Sequence, residues 1–348
     1  MEQIAFIVGD TLIYWRPLLL CAGALTAVFF FLAFYLRRPG RVLAAVTVIP
    51  LATVLSIVLA RLVHWYCRPE VYQGLETALT DYSSGSFALL GVFAGCLIAA
   101  LVVRLLGISD SAPAMLDAMS IAGGAGIAVG RLASFFDTTD RGPLLQTLRE
   151  LPWAYPTVNI ISGDTEYRLA VFLIQAMIAG GLFLILGAMA LLFGRKLRDG
   201  TCCLLFLLFY SASQIVLDSC RYDHLAFRSN GFVSVIQVVS ALALVFAVTV
   251  FSLRLIRRRG MKLWCISFWV LIAAALGCAG YMEYYVQRHG SLAVFSYSIM
   301  SGCLGAVCLT AVVMAVLAGL PARSKAPAVS RDPFPTDGAG SSHQEDTI

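Results

Sequence analysis

Charge is what this sequence has least of. Only 13% of its 348 residues are charged while 59% are hydrophobic, which excludes a water-soluble domain of ordinary surface composition. It also lacks the alternating polar and apolar strands of an outer-membrane barrel. No CxxC pair or Cys/His spacing of metal-site type occurs, so no metal and no cofactor is expected. The net charge of +5 gives no reason to expect nucleic acid. Most of the ten cysteines, among them Cys21, Cys96, Cys202 and Cys308, sit inside apolar segments and read as small hydrophobes. For Cys67 and Cys220, at expected helix ends, both a disulfide and two free thiols stay open.

What is present instead is a series of apolar runs of eighteen residues or more, each enough to cross a hydrocarbon layer of roughly 30 Å. The fold class expected is an all-α polytopic integral membrane protein with nine helices. They run over about 11–36, 43–66, 86–106, 114–136, 169–193, 201–218, 232–255, 263–285 and 294–317. The first run is too long for a signal-peptide core and no small-residue cleavage site follows it. A seven-helix core over residues 1–258 is followed by two additional transmembrane helices in 259–320. The Pro-, Ser- and Gly-rich stretch 321–348 reads as a disordered cytoplasmic tail. Basic residues gather after helices one, three, five and seven: Arg37, Arg38 and Arg41; Arg104; Arg195, Lys196 and Arg198; Arg254, Arg257–Arg259 and Lys262. By the positive-inside rule these loops face the cytoplasm and the N-terminus faces outward.

The stretch Gly126–Gly142, GIAVGRLASFFDTTDRG, ends an apolar glycine-rich helix in an arginine, two aromatics and a polar run. A cation at membrane depth is costly and is usually retained for a task. The expected topology gathers Arg61 and His64, Arg131 and Asp137, and Asp218 and Arg221 near the outer leaflet, under the long 137–167 loop. Arginine's planar fork suits an anionic phospholipid headgroup.

The pattern GR-x-x-x-FF-x-x-x-x-x-G of Gly130–Gly142 resembles the GR-x-GNFxN-x-E-x-x-G signature of bacterial prolipoprotein diacylglyceryl transferases. Four further blocks fall in that family's order: Arg61 with Tyr66, Asp117, Tyr210 with Asp218 and Arg221, and Ser234-x-x-Gln237-x-x-Ser240. The resemblance covers about residues 8–256. It implies transfer of a diacylglyceryl group from phosphatidylglycerol, or a similar anionic phospholipid, to the lipobox cysteine of a prolipoprotein in the bacterial plasma membrane. It further implies that Arg131 and Arg221 hold the phosphate, that Asp218 orients an arginine or moves a proton, and that Gly142 permits a tight loop. Arg16, Arg61, Ser134, Asp137, Gln214 and Gln237 complete the expected substrate-binding set.

Several positions depart from the family pattern. Ser134 stands for its asparagine, Thr139 for its glutamate, Gln214 for an arginine, and Ala88 for the third-helix histidine. Losing one charge-stabilising contact typically costs about 3–4 kcal/mol. Arg16 and Arg168 are possible replacements for the charge absent at 214. The alternative reading is therefore an inactive relative that binds lipid or a membrane protein. Plainer readings also stand beside each residue: snorkelling for Arg61 and Arg131, an interfacial setting for His64, Phe135 and Phe136, a helix-end ion pair for Asp218 and Arg221. For Gly123, Gly124 and Gly126 the reading is close helix packing.

Overall fold

A computed structural model describes residues 4–9, 11–37, 41–81, 86–109, 111–136, 140–145, 154–158, 163–193, 197–221, 224–228, 230–261, 263–289 and 293–319. Asp137, Thr139 and the tail 321–348 lie outside the described residues.

Among the described residues nine long apolar helices appear, as the hydropathy pattern requires. They are α1 (Trp15–Tyr35), α2 (Val42–Cys67), α4 (Leu89–Leu105), α5 (Ala112–Arg131), α6 (Val171–Phe193), α7 (Thr201–Ser219), α8 (Val235–Arg259), α9 (Leu263–His289) and α10 (Ala293–Gly319). Eight are long and apolar enough to cross a bilayer, and α4, at 17 residues, is shorter. A short α3 (Leu75–Thr80) lies in the α2–α4 connection. Large apolar side chains such as Leu25, Phe29, Leu184 and Leu192 point outward, the inverse of a water-soluble surface.

Three antiparallel hairpins, absent from the sequence reading, precede α1, α6 and α8. Strands β1 (Ile4–Val8) and β2 (Thr11–Tyr14) precede α1, so the first helix starts at Trp15 and not at Thr11. Strands β3 (Ala154–Val158) and β4 (Thr165–Leu169) order part of the long loop before α6. Strands β5 (Ala226–Phe227) and β6 (Asn230–Ser234) precede α8, which starts at Val235 and not at Phe232. Apolar composition alone cannot separate a short strand from the first turn of a helix.

Glycine sets the central crossing. A Cβ on Gly126 would stand 2.8 Å from the Gly23 carbonyl and from Ala27 Cβ, and one on Gly23 would stand 2.7 Å from the Gly126 carbonyl. Helices α1 and α5 therefore touch backbone to backbone. The helices α9 and α10 share one core with α7 and α8, through Leu208, Leu244, Ile272, Met300 and Ala311. At the end opposite the hairpins, Asp117 on α5 caps α7 across the bundle: its carboxylate accepts from Gly200 N and Cys203 N, both at 2.7 Å.

Two outcomes follow for detergent-purified protein. Asp117→Ala orphans two amide donors at about 1–3 kcal/mol each, lowering the melting temperature, and Asp117→Asn lies between it and wild type. Gly126→Val lowers it more than Gly123→Val, since a Cβ at 123 meets nothing within 4 Å.

Candidate functional site

Helix α5 runs out in Arg131, and a 3-10 turn (Leu132–Phe136) reverses the chain. The loop returns with Asp140 in the left-handed region at φ 60°, a conformation aspartate tolerates better than most residues. That turn aims the carboxylate back at the helix end. Arg131 Nη1 donates to Asp140 Oδ2 at 2.6 Å, and Ser134 Oγ donates to the same oxygen at 3.0 Å. Arg221, just past α7, pairs through Nη2 with the other oxygen, Oδ1. One buried carboxylate thus holds two arginines, one at the end of α5 and one just past α7.

The second carboxylate is Asp218, on the last turn of α7. Its Oδ1 lies 3.6 Å from Arg221 Nη1, and its Oδ2 accepts from Ser234 Oγ. Ser234 also caps α8, accepting from Gln237 N at 3.4 Å. Burial alone would raise the Asp140 carboxyl. The Arg131 and Arg221 guanidiniums, with the Ser134 hydroxyl, outweigh it and hold the group well below the usual carboxylate range.

Arg141 supports this loop. Its Nη2 donates to the Ser134 carbonyl at 2.9 Å, and its guanidinium stacks 3.9 Å above the Tyr155 ring and 4.8 Å from that of Phe172. Tyr155 donates to the Phe135 carbonyl at 2.7 Å, Phe135 packs edge-on against Phe172, and Phe136 stacks on Trp15. Both phenylalanines are partly buried and held by ring contacts. Gly142 is needed for close approach and not for a left-handed turn: a Cβ there would stand 2.9 Å from Leu169 Cβ, where Gly142 N donates to the Leu169 carbonyl at 2.8 Å.

Of the residues singled out in the sequence, the structure brings Arg131, Ser134, Asp218 and Arg221 together, with Gly142 bordering the group. Gln214 lies one turn before Asp218, buried, and its Oε1 accepts from Gln175 Nε2 at 2.9 Å. Gln237 Nε2 donates to the Ile215 carbonyl at 3.2 Å.

Arg61 and Arg16 form a second group. Arg61 is 1% exposed, and its guanidinium donates to the carbonyls of Ala78 (2.8 Å), Asp81 and Ser86 (3.5 Å) and to the Tyr72 hydroxyl (3.2 Å). It is thus neither snorkelling nor directed at the Arg131 group. His64 is buried rather than interfacial, its Nδ1 2.7 Å from the Tyr72 hydroxyl. Arg16 donates to Ser86 Oγ at 2.9 Å, and Arg168 pairs with Glu166 at 3.3 Å, so neither charge is placed at Gln214.

Asp140 and Arg141 escaped the sequence reading. The family spacing puts the acid at 139, where this chain has threonine, and the acid that enters the cluster is one residue later. All ten cysteines are free, Cys67 and Cys220 included. Burial pushes the Cys220 thiol up to about 12, so it stays protonated. Among the described residues no group of His, Cys, Asp and Glu is arranged to hold a metal ion.

A partly buried pair of arginines joined by buried carboxylates at one end of a helical membrane bundle is an anion-handling arrangement. The family model for prolipoprotein diacylglyceryl transferase matches residues 3–253. The curated proteins contain no match to the chain. The match takes in α1 to α7, most of α8 and every member of the Arg131–Asp140–Arg221–Asp218 group. This multi-pass membrane protein belongs to the prolipoprotein diacylglyceryl transferase family, a family of transferases that act on prolipoprotein and phospholipid in a membrane.

Proposed function

We propose that this chain transfers the diacylglyceryl group of phosphatidylglycerol, or a similar anionic phospholipid, to the lipobox cysteine thiol of a prolipoprotein. The observation that carries the reading is the placement of Arg131 and Arg221 on the two oxygens of Asp140. Two guanidiniums spaced to hold both oxygens of a carboxylate are spaced to hold two oxygens of a phosphate.

In the transfer, the substrate's sulfur forms a bond to the glyceryl carbon, the carbon–oxygen bond to phosphate breaks, and the thiol proton passes to solvent or a carboxylate. Glycerol phosphate leaves with the electron pair. Arg131 and Arg221 stabilise charge growing on that phosphate. Asp140 and Asp218 orient the two guanidiniums, and Asp218 is itself held by Ser234. Arg141, stacked on Tyr155 and Phe172 and donating to the Ser134 carbonyl, steadies the turn from which Ser134 reaches Asp140. Arg61 acts at a distance from the phosphate by shaping the loop that carries Tyr72, Asp81 and Ser86. The basic helix ends at Arg37, Arg104 and Arg257–Arg259 lie opposite this site along the helices. This supports a bacterial plasma-membrane protein with its site and N-terminus outside and its tail cytoplasmic.

The test is rescue of lipoprotein modification in cells depleted of their own transferase. Wild type rescues; Arg131→Ala and Arg221→Ala each lose about 10²–10³ in rate, while Arg258→Ala does not. Absence of rescue by well-expressed, correctly inserted wild type overturns the transferase reading and leaves lipid binding without transfer.

A pH series tests the bridge. Because the folded Asp140 carboxyl titrates below its ordinary 3.8, its ionised form contributes stability above that value and loses it as pH falls toward the folded value. Asp140→Asn turns an acceptor toward an arginine into a donor, so it melts below wild type at neutral pH. The gap between the two melting temperatures narrows only once the pH is taken below 3.8.

A further inference from the structure

The helices beyond the matched region reach the site. Glu283, near the end of α9, accepts from Gln237 Nε2 at 3.1 Å and from Gln287 Nε2 at 2.9 Å. Tyr297, on the first turns of α10, donates at 3.3 Å to the carbonyl of Ser219, which lies between Asp218 and Arg221. Both residues fall outside residues 3–253. A carboxylate near the end of a membrane helix is costly, and it is retained where it performs a task.

The task follows from the chemistry of an amide. A glutamine side chain has one nitrogen with two N–H donors and one oxygen acceptor, and which is which is set by its partners. Here the nitrogen faces two acceptors at once, the Ile215 carbonyl at 3.2 Å and Glu283 Oε1 at 3.1 Å. That fixes the flip of the amide and leaves its oxygen as the group uncommitted to the protein. The backbone of Gln237 is in turn tied to Ser234, whose hydroxyl holds Asp218. Glu283 is thereby linked to the arginine cluster through Gln237, Ser234 and Asp218.

We propose that Glu283 is a positioning residue: it sets the Gln237 amide so that its oxygen accepts from a hydroxyl of the lipid headgroup. The helices α9 and α10 are then a working part of the site. The proposal rests on the phospholipid reading above and goes beyond it in naming the hydroxyl-bearing headgroup as what this corner selects. Without its anionic partner, the Gln237 amide is held by the Ile215 carbonyl alone, its orientation loosens, and the site loses preference for a headgroup that donates hydrogen bonds.

The test is binding of phosphatidylglycerol and of phosphatidic acid, which lacks the headgroup glycerol, to the full-length chain in detergent, with melting temperature as the check on folding. Glu283→Ala and Gln237→Ala each weaken phosphatidylglycerol binding about tenfold, the size of one hydrogen bond involving a charged group. The double variant is no weaker than the worse single, because both remove the same contact. Glu283→Gln, whose carbonyl still accepts from Gln237, restores binding to within about threefold of wild type. Phosphatidic acid binding changes in none of them. Losses that multiply in the double variant, a Glu283→Gln as damaging as the alanine, or equal losses for both lipids overturn the proposal. This pattern in a protein that binds but does not transfer sustains it while the transferase reading falls. Active wild type with independent losses does the reverse, and a wild type that binds neither lipid overturns both.

Discussion

The bridge from Arg131 through Asp140 to Arg221 joins parts of the chain ninety positions apart and governs the geometry around it. Each guanidinium alone would be an uncompensated charge at the edge of a membrane. Removing one partner from a buried pair costs about 3–5 kcal/mol, more than most single contacts contribute. The bridge therefore demands that α5, the returning loop and α7 end at one depth. The surrounding elements are arranged to satisfy that demand: glycine contacts seat α5 against α1, and the Tyr155–Phe172 stack on Arg141 closes the loop from the other side.

The same bridge bears on chemistry. Asp140 occupies both arginines through its two oxygens, so in the proposed reaction a phosphate would meet a clamp already spaced for a two-oxygen anion and would share it or displace the carboxylate. Pre-arranged charge of this kind loses little energy to reorganisation when negative charge builds up during reaction. The remaining carboxylate, Asp218, is fixed from two sides by Arg221 and Ser234. In the proposed transfer the nucleophile is the substrate's thiol, and the nearby Cys220 is held as a thiol by its burial.

How far the sequence discloses this differs by residue type. The helices were legible because twenty apolar residues in a row have few alternatives. Arg131 and Arg221 were legible because they stand at helix ends expected to face outward, where the positive-inside rule gives no other reason for a cation. Asp140 was not: it is one of two aspartates in a short polar run, and the left-handed turn at its own backbone that carries its carboxylate to the arginines has no signal in composition. Arg61 misled for the opposite reason. A buried arginine satisfied by backbone carbonyls looks, as a letter, the same as one waiting for phosphate. The short hairpins escaped because their strands merge into the hydrophobic pattern of the helices they precede, and Glu283 escaped because its partner Gln237 is 46 positions away.

Helix α7 is anchored at both extremities. Asp117 holds its first turn, while Tyr297 and the Asp218–Ser234 contact hold its last. A rod of 19 residues, about 28 Å long, clamped in this way is a ruler across the bilayer. The height of the arginine cluster above the opposite end is set by the protein and not by the lipid. In a thicker or thinner bilayer it is the headgroup plane that must shift to meet the cluster, so membrane thickness becomes a variable of substrate encounter.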